Sequence, residues 1–142
     1  MLFRSKEIYI PVNEKDTLNL VQFFSTASLQ KKGAVLFFHG NRENIKRYLR
    51  YVLPFTQKGY DVWMADYPGF GKSRGELTET SLNEMASQVT RLCNKYYNDT
   101  SILIYGRSLG TGIAANLAAS LPVKGLILEA PYYSIQIGRA HV

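Results

Sequence analysis

The stretch that most narrows the fold is Ser101–Ser120, SILIYGRSLGTGIAANLAAS. An apolar, β-prone run (Ile102, Leu103, Ile104, Tyr105) stops at Gly106-Arg107-Ser108-Leu109-Gly110, and a small-residue helix, Thr111 to Ser120, follows at once. G-x-S-x-G between a strand and a helix describes a sharp turn with a serine at its tip. A serine there takes a strained backbone, and the residues two before and two after it are expected to lie against each other. Gly106 and Gly110 have no Cβ to collide at that approach. The turn is expected to lift Ser108 above the sheet at a helix N-terminus, whose partial positive charge favours a developing anion. The Leu109 N–H then points into the same space.

The rest of the chain supplies the sheet that such a turn needs. Lys6–Val12 and Thr17–Phe24 alternate apolar and polar residues about Asn13–Asp16 and read as a β-hairpin. Ala34–Phe38 is continuously apolar, as a strand buried on both faces is. His39-Gly40-Asn41-Arg42 then turns into a helix with an Ile45, Tyr48, Leu49, Val52 stripe, bent at Pro54 and closed by Gly59. Tyr60–Ala65 is the next strand, followed by the Gly/Pro-punctuated loop Asp66–Ser73. Ser81-Leu-Asn-Glu84 reads as a capping box opening a helix with Leu82, Met85, Val89, Leu92 and Tyr96 on one face, ended by Asn98-Asp99. Val123–Leu128 reads as one more buried strand, running into Glu129-Ala130-Pro131.

This order, β-β-β-α-β-α-β-α-β, predicts a three-layer α/β fold: a mostly parallel sheet with helices on both faces. Ligands of such sheets bind at the carboxyl ends of the strands. His39–Asn41, Asp66–Ser73 and Ser108 all fall at those ends, so three separated stretches converge on one rim.

Composition excludes several classes. A length of 142 residues suits one domain, and 46% hydrophobic with 20% charged residues is ordinary for a soluble α/β protein. The net charge of +6 is carried by scattered Lys and Arg, so no nucleic-acid surface is expected. Cys93 is the only cysteine and cannot form a disulfide within the chain; it is expected to be a small buried apolar residue. No apolar run approaches membrane-spanning length. No cofactor and no metal site are expected.

Both ends look foreign to the chain. Ile137–Val142 translate ATC GGA AGA GCA CAC GTC, the start of a widely used sequencing adapter. Met1–Ser5 translate part of its reverse complement, GTG CTC TTC CGA TCT, with GTG as the start codon. Residues 1–5 and 137–142 are therefore expected to be non-native, which sets His141 aside as a catalytic candidate. The natural stretch is then residues 6–136, a partial domain whose parent extends past both ends.

The motifs together resemble an α/β-hydrolase, most closely the Bem46-like and serine-aminopeptidase-type groups of bacterial hydrolases. The resemblance is carried by FFHGN (Phe37–Asn41), DYPGFGKSRG (Asp66–Gly75), YGRSLGTG (Tyr105–Gly112) and LILEAPYYS (Leu126–Ser134), in the order and spacing of the family. It implies the α/β-hydrolase fold, truncated after its sixth strand, and a serine hydrolase acting on an ester, thioester or peptide acyl group. Ser108 matches the nucleophile. Leu109 and Asn41 match the residues whose N–H groups form the oxyanion hole. The catalytic Asp and His of the family follow its seventh and eighth strands, so the resemblance leaves them unassigned here and implies that these 142 residues alone are inactive. It also leaves open a membrane anchor on the full-length protein, and with it the choice between cytoplasm and membrane.

Other residues carry weaker signals. His39 reads as a structural histidine that ties down its own turn. Glu129 is a minor candidate for an acid partner, and Asp66 is expected to hydrogen-bond amides of its glycine-rich loop. Arg107 either meets a polar part of the substrate or is merely solvated, and Tyr132 and Tyr133 either line a pocket or cover the sheet. Two rival functions remain. One is a non-catalytic binding protein of the same fold. The other is a dinucleotide-binding unit, since Gly110-Thr-Gly112-Ile-Ala-Ala115 fits G-x-G-x-x-A with Glu129 about 20 residues on. Against the last, Gly110 and Gly112 fall inside the helix rather than in a phosphate-binding turn.

Overall fold

The computed structural model describes residues 4–11, 17–26, 30–39, 49–67 and 78–129. Strands β1 (Ser5–Pro11), β2 (Thr17–Phe23), β3 (Gly33–Phe38), β4 (Tyr60–Ala65), β5 (Ile102–Arg107) and β6 (Gly125–Glu129) form one sheet in the order β1-β2-β4-β3-β5-β6. The expected hairpin is there, antiparallel from Ser5↔Phe23 to Pro11↔Thr17. It begins inside the stretch read as adapter-derived; the ladder needs only main-chain groups, which any residue but proline supplies in full. β2 is antiparallel to β4, and β4, β3, β5 and β6 are mutually parallel.

Three α-helices among the described residues complete the layers: α1 (Leu49–Thr56), α2 (Glu79–Cys93) and α3 (Gly110–Ala119). Crossovers between parallel strands are right-handed, so the direction of each step along the sheet decides the face of its helix. The step β3-α1-β4 runs one way. The steps β4-α2-β5 and β5-α3-β6 run the other. Alternation along the strands follows this division. Leu18, Leu20, Ala34, Leu36, Phe38, Trp63, Ile102 and Ile104 pack with α2 and α3, whereas Phe23, Val35, Phe37, Val62, Met64 and Tyr105 pack with α1. β3 is buried at every residue, as its unbroken apolar run predicts, and so is β4, Asp61 included. Truncating one such side chain to alanine costs about 2–5 kcal/mol. The chain reverses its direction across the sheet between β3 and β5, so the carboxyl ends of these two strands frame the switch point where such folds bind ligands.

Three expectations change. The capping box of α2 is formed by Thr78 and Ser81, not Ser81 and Glu84. Thr78 Oγ1 accepts the Ser81 N–H (2.9 Å) and Ser81 Oγ accepts the Thr78 N–H (2.8 Å). Tyr96 lies past the end of α2 and is 65% exposed, tilted against Trp63, because the helical register stops at Cys93. Finally, β6 is not buried. Among the described residues it is the sheet edge, and Leu126, Ile127 and Leu128 are 36–42% exposed.

Candidate active site

The serine motif folds as a strand, a two-residue turn and a helix. β5 ends at Arg107, α3 starts at Gly110, and among the described residues Ser108 alone combines a side chain with positive φ, at 55°. A left-handed backbone costs a non-glycine residue on the order of 1–3 kcal/mol and persists only where neighbours enforce it. Main-chain bonds do so here. Ser108 N–H donates to the Glu129 carbonyl on β6 (3.0 Å), and the Ser108 carbonyl accepts from Thr111 N–H (3.0 Å) and Thr111 Oγ1 (2.6 Å). The residue is half-buried, and among the described residues nothing hydrogen-bonds its hydroxyl. No side chain caps the N-terminus of α3, and among the described residues no acceptor takes the Leu109 N–H.

Gly106 is needed for the contact that the spacing suggests, Gly110 for a different one. A Cβ on Gly106 would lie 2.6 Å from the Gly110 carbonyl oxygen and from the Ala114 Cβ, so Gly106 does meet the start of the helix. A Cβ on Gly110 would lie 2.0 Å from the Phe38 carbonyl oxygen and 2.7 Å from that of His39. Gly110 thus rests on the end of β3, and the serine turn is wedged against Phe38 and His39.

His39 is fully buried, and its ring reaches across to the end of β4; the turn it is expected to tie down lies outside the described residues. Its Nε2 donates to the Ala65 carbonyl (2.9 Å), its ring stacks on Tyr67 (4.3 Å between centroids, 15° between planes), and Tyr67 OH donates to the His39 carbonyl. The carboxyl ends of β3 and β4 are thereby joined. Tyr67 gave no signal of this in the sequence beyond being aromatic at a strand exit. Asp66 is buried with Oδ1 4.0 Å from His39 Nε2. Its expected loop partners, like Asn41, Tyr132 and Tyr133, lie outside the described residues.

Arg107 is neither aimed at open space nor simply solvated. Its guanidinium pairs with the Glu129 carboxylate and lies over the Tyr51 ring, 5.0 Å from the centroid. Glu129 is thus engaged by an arginine. The Cys93 thiol, 0% exposed, is pushed up to about 12 by burial and then by the carboxylates of Asp61 and Asp99. It is held as the neutral thiol, the unreactive form. At the opposite end of the sheet, Asp61 accepts from Ser25 N–H (2.7 Å), Lys31 Nζ (3.0 Å) and Tyr97 OH (2.7 Å), a buried carboxylate that ties three segments together.

The geometry does not favour a dinucleotide. The close approach that Gly110 permits is taken by β3 main chain, and Gly112 faces open space with nothing within 4 Å of its would-be Cβ. No helix among the described residues is long and apolar enough to cross a membrane.

Comparison with known proteins adds an independent line. A family model described as serine aminopeptidase, S33, matches residues 30–141. Human protein ABHD12B is 33% identical over 110 residues, covering 72% of this chain and 30% of that protein. The lysophosphatidylserine lipase ABHD12 of Gallus gallus is 33% identical over 122 residues, covering 80% of this chain and 32% of that protein. Among solved structures, an alpha-beta hydrolase from Vibrio vulnificus superposes with a TM-score of 0.80 at 25% identity, covering 97% of this chain and 50% of that one. The chain therefore spans about a third of the length of the curated relatives it matches.

Proposed function

Because the chain belongs to the serine aminopeptidase S33 family and has the α/β-hydrolase fold, we propose that Ser108 is the nucleophile of a hydrolase working through an acyl-enzyme. The observation that carries this reading is the backbone of Ser108. A side chain held at φ 55°, at the switch point and just before the N-terminus of α3, is set where a substrate carbonyl can reach it.

In this mechanism Ser108 Oγ gives up its proton to a general base and attacks the carbonyl carbon. The tetrahedral oxyanion is held by the Leu109 N–H and by the Asn41 N–H. The leaving group departs with a proton, and water then releases the acyl group. Each amide is expected to contribute about 2.7–4 kcal/mol of transition-state stabilisation. The general base is the His, and its acid partner the Asp, that follow the eighth and seventh strands of the family, and neither role is given to His39 or Glu129. The substrate is a carboxylic ester in preference to a thioester or peptide, in keeping with a relative named as a lysophosphatidylserine lipase.

A fluorophosphonate probe tests this on the complete gene product. Labelling is expected in the wild type and absent in Ser108→Ala; labelling that survives the substitution refutes the assignment. Failure to label a well-folded protein favours a non-catalytic binder, and saturable NAD binding with no labelling favours the dinucleotide unit. Residues 1–142 alone are expected to give no acyl-enzyme burst with an activated ester, and a burst contradicts that expectation.

A further inference from the structure

We infer that Arg107 and Glu129, backed by Tyr51, are positioning residues for Ser108: they fix the strained turn to the last strand from one side, as Gly110 fixes it to β3 from the other. The inference rests on reading Ser108 as the nucleophile.

Glu129 grips the turn twice. Its carbonyl accepts the Ser108 N–H (3.0 Å), and its carboxylate holds the Arg107 guanidinium. These are consecutive residues of the turn held by one residue of β6, which stands opposite Arg107 in the parallel register. Rotation of the Ser108 peptide about the strand axis therefore has to break both contacts.

The guanidinium has a floor as well as a partner. Tyr51, on α1, lies under it and is in ring contact with Phe37 of β3 (6.1 Å between centroids). Phe37 in turn stacks on Tyr105 at 4.6 Å, and Tyr105 is the residue of β5 directly before Gly106. The Tyr105 hydroxyl, pushed up to about 12 by burial and then by Glu129, stays protonated beside that carboxylate. Elements α1, β3, β5 and β6 thus meet immediately below the turn. Arg50 lies over the same Tyr51 ring at 5.2 Å.

The pair is a poor candidate for a mere stabiliser. Its side chains are 29% and 43% exposed, and ion pairs at such exposure contribute little to folding. What it does supply is alignment. A displacement of the nucleophile by about 1 Å can cost about a hundredfold in rate. Stability and rate are therefore expected to respond differently to its removal.

The test uses the complete gene product, an activated ester and fluorophosphonate labelling, with thermal unfolding in parallel. Arg107→Met keeps the apolar stem over Tyr51 and removes the guanidinium. It is expected to lower kcat and the labelling rate by up to about a hundredfold, with KM and Tm near wild type. Glu129→Gln, on an exposed edge, is expected to lose less, about tenfold, and decides alone if Arg107→Met does not fold. The reversed pair, Arg107→Glu with Glu129→Arg, is expected to recover part of the loss of either single charge reversal. Wild-type rates in both single variants overturn the inference, as do losses that track Tm with kcat and KM unseparated. A wild type that is folded but does not label overturns the nucleophile reading, and this inference with it.

Discussion

His39 at the end of β3 and Ser108 in the turn after β5 both stand at the carboxyl rim of the sheet, and each is a residue type used in serine catalysis. Their surroundings are opposite. His39 is 0% exposed, bonded through its ring to Ala65 and through its carbonyl to Tyr67, and stacked on an aromatic ring. Ser108 is half-buried and is held by its main chain, in a conformation that costs free energy. The histidine is bound by its side chain; the serine is bound by everything except its side chain. A reactive residue type on a functional rim is therefore not enough to assign chemistry. The difference lies in which atoms the fold has already engaged.

The contact between the serine turn and the end of β3 is where the largest effect is expected. In Gly110→Ala the new Cβ falls 2.0 Å from the Phe38 carbonyl oxygen and 2.5 Å from its carbon, both main-chain atoms of a central strand. β3 is hydrogen-bonded on both sides, to β4 and to β5, and has no room to retreat. A loss of about 3 kcal/mol or more is expected in urea unfolding followed by circular dichroism. A midpoint at the wild-type value would mean that the serine turn is not wedged against the end of β3 as described.

His39→Ala breaks the comparison from the supporting side. It leaves the Ala65 carbonyl without its 2.9 Å donor and removes the ring that Tyr67 stacks on, in a site with no solvent access. The unmet carbonyl and the cavity together are expected to cost about 2–4 kcal/mol. His39→Ala at wild-type stability would show that the ring is not structural, and would reopen it as a base.

Much of the fold was legible in the sequence because burial leaves a periodic trace. Alternation in Lys6–Phe24 gave the hairpin, and an unbroken apolar run gave β3. What was not legible depends on partners far apart in the chain. Arg107 and Glu129 meet only because β5 and β6 pair in that register. The need for glycine at 110 comes from β3, some 70 residues earlier, although the spacing alone suggested Gly106. The cap of α2 was misplaced for a local reason. Thr78, Thr80 and Ser81 can all cap a helix, and the chosen box closes with a serine hydroxyl where the sequence pattern looks for a carboxylate. Tyr96 continued the apolar spacing of a helix that ends three residues before it.

The smallest expected effect has the opposite sign and bears on the serine turn itself. Ser108→Gly keeps every main-chain bond of the turn, to Glu129 and to Thr111, and removes the Cβ that makes φ 55° unfavourable. Relief of that strain is expected to stabilise by about 1–2 kcal/mol, offset by about 0.4–1 kcal/mol for the greater freedom of glycine in the unfolded chain. Ser108→Ala is the control, because it removes the hydroxyl and keeps the Cβ. Glycine at 108 is thus expected to be more stable than alanine by about 0.5–1 kcal/mol, with neither variant labelled by a fluorophosphonate. If alanine proves the more stable, the backbone at 108 is relaxed. The contrast with His39 would then rest on exposure alone, and a serine would be as easily placed there by the fold as by its chemistry.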